Sequence, residues 1–345
     1  MALVIVGVAL LFAPSGAAAA PRPNIVFVLT DDQRFDTLGA MPTVQRELVG
    51  RGVTFTNAFV VNALCCPSRA SILTGRYSPS TKVYGNGGPF GGFASFRDRS
   101  TVATWLRSAG YRTGYVGKYL NGYGGSYVPP GWDRWVAFTR AGYDRYGLNV
   151  NGVRRGHRPA SATDYSTDLL TRNAARFICG ARKPFFLVYA PHAPHAPAVP
   201  APRHADAFGS MTPWRPPNYN EQDVSDKPTW IQQIQPWTPD DELQHDFVHR
   251  RQLQTLLAVD DGVKALLGEL RRHRVLRNTI VVFTSDNGYS WGAHRIEGKG
   301  VPYEESIRVP LVVRYDRLVR EARIETRPAL NIDLAPTFAA AARAK

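Results

Sequence analysis

The chain has 345 residues, 44% of them hydrophobic and 20% charged, so it is long and apolar enough to bury a large core and is unlike a disordered chain. Three cysteines are too few for a disulfide framework, and we expect one large α/β domain or one domain with a small appendage. A net charge of +14 is compatible with binding to a polyanion and equally with an arginine-rich solvated surface, so it excludes neither.

The N-terminal segment has an apolar run at residues 3–13, four alanines at residues 17–20, and then Pro21. This order is typical of a secretory signal peptide, although no Lys or Arg precedes the run, which is too short to span a membrane. We therefore expect residues 1–20 to be a signal peptide and the mature chain to be secreted or extracytoplasmic, without stable membrane insertion.

Two strand patterns follow. Asn24–Thr30 is a continuous apolar run that ends at Asp31 and Asp32, and residues 52–60 alternate and are rich in Val, Phe and Thr. Just beyond them, Pro67 suits the first turn of a helix. Residue 65 would then lie at a helix N-terminus, where backbone N–H groups and the helix dipole favour an anion.

The middle of the chain alternates between helical and strand patterns. Residues 101–109 have a helical pattern, and Phe185–Ala190 is a strand run that ends near His192 and His195. The stretch between His195 and Pro239 is irregular, rich in proline, and carries three tryptophans. Such a stretch is either a substrate wall or a surface wrap.

The last elements complete the fold prediction. A long helical pattern covers residues 240–272, Thr279–Ser285 is another apolar run ending at Asp286 and Asn287, and residues 309–314 form a fourth run. Apolar strands separated by helices predict an α/β fold with a largely parallel central sheet flanked by helices. Ligands of such sheets bind beyond the carboxyl ends of the strands, so three strand ends direct polar side chains to one crevice.

Four residues at two of these strand ends offer only oxygen ligands: Asp31, Asp32, Asp286 and Asn287. Oxygen ligands are typical of Ca²⁺ or Mg²⁺ and not of Zn²⁺, so we predict one hard cation here, with Ca²⁺ favoured over Mg²⁺. Two other acidic pairs are predicted to be structural. Residues 240–241 lie in the first turn of a helix, where acids complement the dipole, and residues 260–261 lie inside the same helix.

The sequence Cys65-Cys66-Pro67-Ser68-Arg69, followed by Leu73-Thr74-Gly75-Arg76, resembles the signature of the sulfatase family, which has an alkaline phosphatase-like fold. In this register Cys65 is the nucleophile precursor and Cys66 is the variable position. The resemblance implies that a formylglycine-generating or equivalent maturing enzyme oxidises Cys65 to formylglycine. The hydrated aldehyde attacks sulfur with one hydroxyl and expels sulfate after the other hydroxyl loses its proton. The alternative is a pair of structural cysteines.

The resemblance implies roles for other residues around that nucleophile. The cation would bind the sulfate oxygens and the formylglycine at residue 65, which adds Cys65 to the metal ligands. Arg69 would hold the formylglycine oxygens, and Lys118 and Lys299 would contact sulfate.

Three further side chains are expected at the substrate. His195, in Ala193-Pro194-His195, matches the family histidine that protonates the leaving alcohol, and His192 is the less favoured candidate. Asn121 and His294 are predicted to contact the substrate, His294 with less support from its surroundings.

The segment Gly117-Lys118-Tyr119-Leu120-Asn121 has Leu120 where arylsulfatases have a histidine. This version resembles the N-acetylglucosamine-6-sulfatase and extracellular endosulfatase branch, which implies a sulfated amino sugar as substrate, with Asn121 in place of the missing histidine. Residues 331–337 resemble a family segment that a small C-terminal subdomain normally follows. Because the sequence ends at Lys345, we expect residues 23–345 to be a catalytic domain without that subdomain.

Two other functions stay open from the sequence. The first is a phosphonate or phosphate ester hydrolase of the same superfamily, since the tetrahedral oxyanions are alike. The second is a non-catalytic polyanion-binding protein. For the leading hypothesis we expect a sulfated carbohydrate or another sulfate ester as substrate, the maturing enzyme as partner, and no nucleic acid.

Overall fold

The computed structural model describes residues 21–157, 164–181 and 184–344, and the predicted signal peptide at residues 1–20 lies outside them. The strands are β1 (Asn24–Thr30), β2 (Val53–Phe55), β3 (Ala58–Phe59), β4 (Arg112–Gly117), β5 (Arg134–Arg140), β6 (Tyr146–Val150), β7 (Val153–His157), β8 (Phe185–Ala190), β9 (Thr279–Ser285), β10 (Leu311–Arg314), β11 (Arg323–Glu325) and β12 (Ala329–Leu330). The α-helices are α1 (Pro42–Glu47), α2 (Cys65–Thr74), α3 (Ser78–Thr81), α4 (Gly92–Ser95), α5 (Val102–Ser108), α6 (Ser166–Cys179), α7 (Thr229–Gln232), α8 (Pro239–Arg272), α9 (Glu304–Ile307) and α10 (Leu334–Ala342).

A ten-stranded sheet organises the molecule, in the order β11-β2-β10-β9-β1-β8-β4-β5-β6-β7. Its five central strands, from β9 to β5, are all parallel to their neighbours. Strand β10 runs antiparallel to both of its neighbours, and β5, β6 and β7 form an antiparallel edge. The predicted α/β fold with a largely parallel sheet is therefore confirmed at the centre of the sheet, and the antiparallel strands lie towards its edges.

The central strands are apolar throughout because both faces of the sheet are covered. Along β1, Val26 and Val28 point into one core with α6 and α8, whereas Ile25, Phe27 and Leu29 point into a second core with α2, α5 and α10. This period of two places a helical layer on each side of the sheet. None of the helices in the described ranges has both the length and the hydrophobicity that a membrane span requires.

Most predicted elements appear within a residue or two of their expected bounds, but two differ. The pattern at residues 52–60 is divided into β2 and β3 by a bend, so it is not one strand. The run at residues 309–314 begins its strand only at Leu311, and that strand is antiparallel to β9. Hydrophobicity marks a buried strand but carries no information on its direction.

Both acidic pairs that we expected to be structural lie in α8. Asp260 accepts hydrogen bonds from the backbone N–H groups of Thr43 and Val44 at 2.9 and 2.8 Å, so it caps α1. Asp241 forms a capping box with Thr238 at the start of α8. These contacts give Asp260 and Asp241 the structural roles that we expected for their pairs.

Candidate active site

Helix α2 starts at Cys65, and all ten of its residues are buried. The N-cap residue, Leu64, makes no side-chain hydrogen bond to the first turn. Instead, the Asn86 side chain accepts a hydrogen bond from the backbone N–H of Cys66 at 2.8 Å. The helix ends at Gly75, which adopts the left-handed conformation (φ 65°) that a C-terminal glycine accommodates. The Cys65 side chain therefore lies at a buried helix N-terminus, as the sequence predicts.

The strand ends bring the predicted carboxylates to this N-terminus. Asp31 and Asp32 follow β1 and Asp286 follows β9, and the two strands are adjacent and parallel. The backbone N–H of Asp32 donates to Asp286 Oδ1 at 3.0 Å, and Asn287 Nδ2 donates to Asp32 Oδ1 at 2.7 Å. Asp32 has a φ of 69°, a left-handed conformation that aspartate tolerates better than most residues.

The thiol of Cys65 lies among these groups and is fully buried. It donates to Asp31 Oδ1 at 3.4 Å and lies 3.7 Å from Asp32 Oδ1, and Lys299 Nζ approaches it to 2.9 Å. Burial raises the pKa of this thiol, and the neighbouring carboxylates raise it further against the opposing effect of Lys118. An unmodified Cys65 is therefore held as a neutral thiol and is a poor nucleophile.

Three cations interleave with the three carboxylates. Lys118 Nζ donates to Asp31 Oδ2 at 2.5 Å, and Lys299 Nζ contacts Asp32 Oδ1. Arg69, also fully buried, donates from Nε to Asp286 Oδ2 at 2.7 Å. The charges are therefore paired, as buried charges need to be.

The pKa values of Asp31 and Asp286 are shifted in opposite directions. Burial would raise the pKa of Asp31, but Lys118, His195 and Arg69 outweigh it and hold that pKa well below the ordinary value. The pKa of Asp286 is raised, first by burial and then by repulsion from the other two carboxylates, against Arg69. Asp31 is therefore ionised, whereas Asp286 is protonated more readily than an ordinary aspartate.

Two histidines lie above Asp31 and Asp32, with their rings stacked at a centroid distance of 4.8 Å. His195 Nε2 is 3.6 Å from Asp32 Oδ2, and 30% of its side chain is exposed, so it faces the solvent side of the crevice. His192 is buried beneath it and bonds Asp31 Oδ2 through Nδ1 at 3.1 Å. Burial lowers the pKa of His192 to about 4 despite that bond, so His192 is neutral near pH 7.

Several potential metal ligands lie close together in this cluster. Single ligand atoms of Asp31, Asp32, Cys65 and His195 all lie within 4.8 Å of one another. Asn287 Oδ1 is buried next to them without a hydrogen-bond partner among the described residues, although buried amide oxygens normally have one. The Asp286 oxygens accept bonds from Asp32 and Arg69, just as the Asp31 oxygens accept bonds from Cys65 and Lys118.

Two predicted substrate residues lie outside this cluster. The backbone of Asn121 hydrogen-bonds the Cys66 thiol, and its buried Oδ1 has no hydrogen-bond partner among the described residues. His294 packs on Tyr303 and bonds Glu221 Oε2 through Nδ1 at 3.2 Å. His294 is therefore engaged with a carboxylate away from Cys65, and the structure gives it no contact with the cluster.

The sequence reasoning missed what brings Lys118 to the site. Lys118 follows β4, and Gly114 and Gly117 make the sequence of this strand look like that of a turn. At Gly117 (φ 134°) a Cβ atom would lie 1.8 Å from the carbonyl oxygen of Ala190, so only glycine permits this approach to β8. The backbone N–H of Lys118 then donates to the same carbonyl at 2.7 Å. The glycine flanking the lysine was the available signal.

The chain is similar in sequence and fold to known proteins. The family model described as Sulfatase matches residues 23–344. The extracellular sulfatase SULF-1 homolog of Drosophila melanogaster is 36% identical over 94% of this chain and 30% of the relative. The N-acetylglucosamine-6-sulfatase of Homo sapiens is 37% identical over 93% of this chain and 61% of the relative. The chain thus spans between about a third and three fifths of these relatives.

Among solved structures, one described as a complex with its substrate D-glucosamine-2-N,6-O-disulfate is similar to this chain with a TM-score of 0.80. The two sequences are 26% identical, and the match covers 94% of this chain and 77% of that one. A phosphonate monoester hydrolase of Agrobacterium radiobacter has the same fold, with a TM-score of 0.73 at 20% identity, over 94% of this chain and 74% of that one.

Proposed function

The chain belongs to the sulfatase family, and we propose that it hydrolyses a sulfate ester of an amino sugar, with formylglycine derived from Cys65 and a bound divalent cation. One observation carries the proposal. The Cys65 side chain lies fully buried at a helix N-terminus, in contact with two carboxylates and Lys299. This position lets a modified residue 65 bind a cation together with the two carboxylates.

The residues that would hold the cation are Asp31, Asp32, Asp286, Asn287 and residue 65, and Asp286 also orients Asp32 and Arg69. We prefer Ca²⁺ over Mg²⁺ because the oxygen donors come from two separate strand ends and need no octahedral arrangement. The bound cation would neutralise charge on the sulfate group and so lower the barrier to attack on sulfur.

The protein's own cations would bind the substrate oxyanion. Lys118 and Lys299 both reach the Cys65 region, one through Asp31 and one directly. The N-terminus of α2 adds the positive end of the helix dipole. Together these groups favour a tetrahedral anion seated over residue 65.

We assign proton transfer to the leaving alcohol to His195. Its Nδ1 lies 2.5 Å from the Ala196 carbonyl oxygen, which fixes an Nδ1–H tautomer and leaves Nε2 directed at the crevice. Its side chain is partly exposed, so it is in contact with solvent. His192, buried and neutral, orients Asp31 instead.

The amino-sugar assignment is supported by the relatives named N-acetylglucosamine-6-sulfatase and by Leu120 at the position of the arylsulfatase histidine. We further propose that residues 1–20 direct secretion, in keeping with the relatives named extracellular sulfatases. A maturing enzyme would have to oxidise residue 65.

The test compares three substrates with full-length protein that has been co-expressed with a maturing enzyme. We expect kcat/KM for glucosamine-6-sulfate to exceed that for 4-nitrophenyl sulfate at least tenfold, which corresponds to about 1.4 kcal/mol of transition-state binding. We expect 4-nitrophenyl phosphate to be the poorest substrate. A preference for the phosphate ester would replace the sulfatase assignment by a phosphatase one, and equal rates on both sulfates would refute only the sugar preference.

A further inference from the structure

A second polar cavity lies at the opposite end of α2 from Cys65. It has a volume of about 620 Å³, and three of its lining residues are arginines: Arg76, Arg97 and Arg99. Because α2 rises by about 1.5 Å per residue, the nine steps from Cys65 to Thr74 separate this cavity from the catalytic cluster by about 14 Å. The cavity is therefore not part of the site described above.

The three arginines are exposed, and none of them pairs with a carboxylate within the described ranges. This distinguishes them from arginines elsewhere in the chain, such as Arg203 on Asp168 and Arg215 on Asp246. Unpaired guanidinium groups around one concavity offer many donors in a forked geometry that matches the oxygens of a sulfate or phosphate group.

The rest of the lining is mostly polar. Ser80, Thr81 and Ser100 line the cavity together with the buried Phe96. Asp98 is the one carboxylate in the lining, and its Oδ2 accepts a hydrogen bond from the Tyr127 hydroxyl at 2.8 Å. Asp98 therefore serves to hold Tyr127 at the cavity's edge.

Exposed aromatic side chains lie on the segments that join this cavity to the catalytic end of α2. Asn86, in the glycine-rich loop, bonds Cys66 at one end of the helix, and Phe90 in the same loop is 69% exposed. Tyr127 is 47% exposed and packs against Phe93 with a ring-centroid distance of 5.8 Å. Aromatic faces next to charged groups are a common platform for sugar rings.

We propose that Arg76, Arg97 and Arg99 form a second binding site, which holds a sulfate group of a sulfated polysaccharide while another part of that chain occupies the catalytic cluster. The polysaccharide as occupant rests on the proposed function, but anion binding at the cavity does not. An isolated inorganic sulfate or a nucleic acid could offer similar oxygens, so the test separates these ligands.

The test measures binding of a heparin-derived hexasaccharide to the full chain by titration calorimetry, and kcat/KM on 4-nitrophenyl sulfate with matured protein. One variant carries Arg76→Gln, Arg97→Gln and Arg99→Gln. The control variant carries Arg154→Gln, Arg155→Gln and Arg320→Gln, three exposed arginines outside the cavity. Both lower the net charge from +14 to +11, since each removes three of 42 basic residues.

We expect the cavity variant to lose at least tenfold in hexasaccharide affinity and the control less than twofold, with turnover of 4-nitrophenyl sulfate unchanged in both. Equal losses in the two variants would show a general charge effect and overturn the site. No loss in the cavity variant would also overturn it. Inorganic sulfate or a single-stranded oligonucleotide binding as tightly as the hexasaccharide would refute the polysaccharide as occupant. If matured wild-type protein does not hydrolyse 4-nitrophenyl sulfate, that result would count against the proposed function only.

Discussion

The two neighbouring cysteines should respond in opposite ways to substitution, because α2 places them in different surroundings. Cys65 contacts Asp31, Asp32 and Lys299, whereas the Cys66 thiol is bonded by the backbones of Gly92 and Asn121. We expect Cys65→Ser to abolish turnover, because an ordinary alcohol cannot expel sulfate once it is sulfated. We expect Cys66→Ala to keep most of the activity.

The expected magnitudes follow from burial. Cys66→Ala removes one fully buried sulfur atom and leaves a small cavity, which should lower the free energy of unfolding by about 1–2 kcal/mol. Burial raises the pKa of the Cys66 thiol to about 11, so it is a neutral packing group with no reactivity to lose. Cys65→Ser keeps nearly the same volume, so its loss of activity should come without comparable destabilisation.

Three measurements check the register of the two cysteines. Peptide mass analysis after co-expression with a maturing enzyme should find an aldehyde at residue 65 and an intact thiol at residue 66. Denaturant unfolding should separate stability from activity, and turnover of 4-nitrophenyl sulfate should be measured on each variant. An inactive Cys66→Ala protein that is folded and carries the aldehyde at residue 65 would refute this assignment.

Three more predictions concern the cation and two structural carboxylates. Chelation by EDTA should remove activity, and Ca²⁺ or Mg²⁺ should restore it, whereas restoration by Zn²⁺ alone would contradict a ligand set of hard oxygens. Asp260→Ala should cost about 1–2 kcal/mol of unfolding free energy, because two backbone N–H groups of α1 lose their acceptor, while the matched Asp261→Ala costs less than about 0.5 kcal/mol, and neither should change kcat/KM. Although burial opposes it, Arg271 and Arg314 hold the pKa of Glu47 below its ordinary value, so Glu47→Gln should cost about 1–3 kcal/mol at pH 7. That stabilisation is complete above the unfolded pKa of about 4.3 and is lost as the pH falls through the folded pKa, so wild type and variant should converge in acid, and a constant difference would refute this origin.

The fold could be predicted where hydrophobicity alone sets the structure. Strands β1, β8 and β9 are buried on both faces, so their apolar runs are visible in the sequence, and their strand ends predicted a common crevice. Strand β4 was missed because glycine and tyrosine interrupt its apolar residues, and β5 was missed because its apolar run at residues 135–138 is only four residues long. The Arg112–Gly117 strand owes its burial to neighbours that no local pattern reveals.

The candidate site was predictable to the extent that strand ends determine it. Asp31, Asp32 and Asp286 meet because β1 and β9 are neighbours in register. The partners of each side chain were not predictable, since they depend on rotamers and on long-range contacts. His192 is an example. The sequence made it the less favoured candidate for the proton donor, and only the fold reveals its bond to Asp31.

The balance of charge at the crevice explains why these groups tolerate burial and what a ligand would change. Lys118, Lys299 and Arg69 pair one to one with Asp31, Asp32 and Asp286, so desolvation of each charge is offset by a partner at close range. A divalent cation at Asp31 and Asp32 would leave the crevice with a net positive charge, because the three protein cations remain. An anionic ester would then be attracted by the local field, whatever the +14 charge of the whole chain contributes. Under the proposed function, the binding of sulfate at this site would therefore depend on the cation, and the surface arginines would act only on the rest of the substrate.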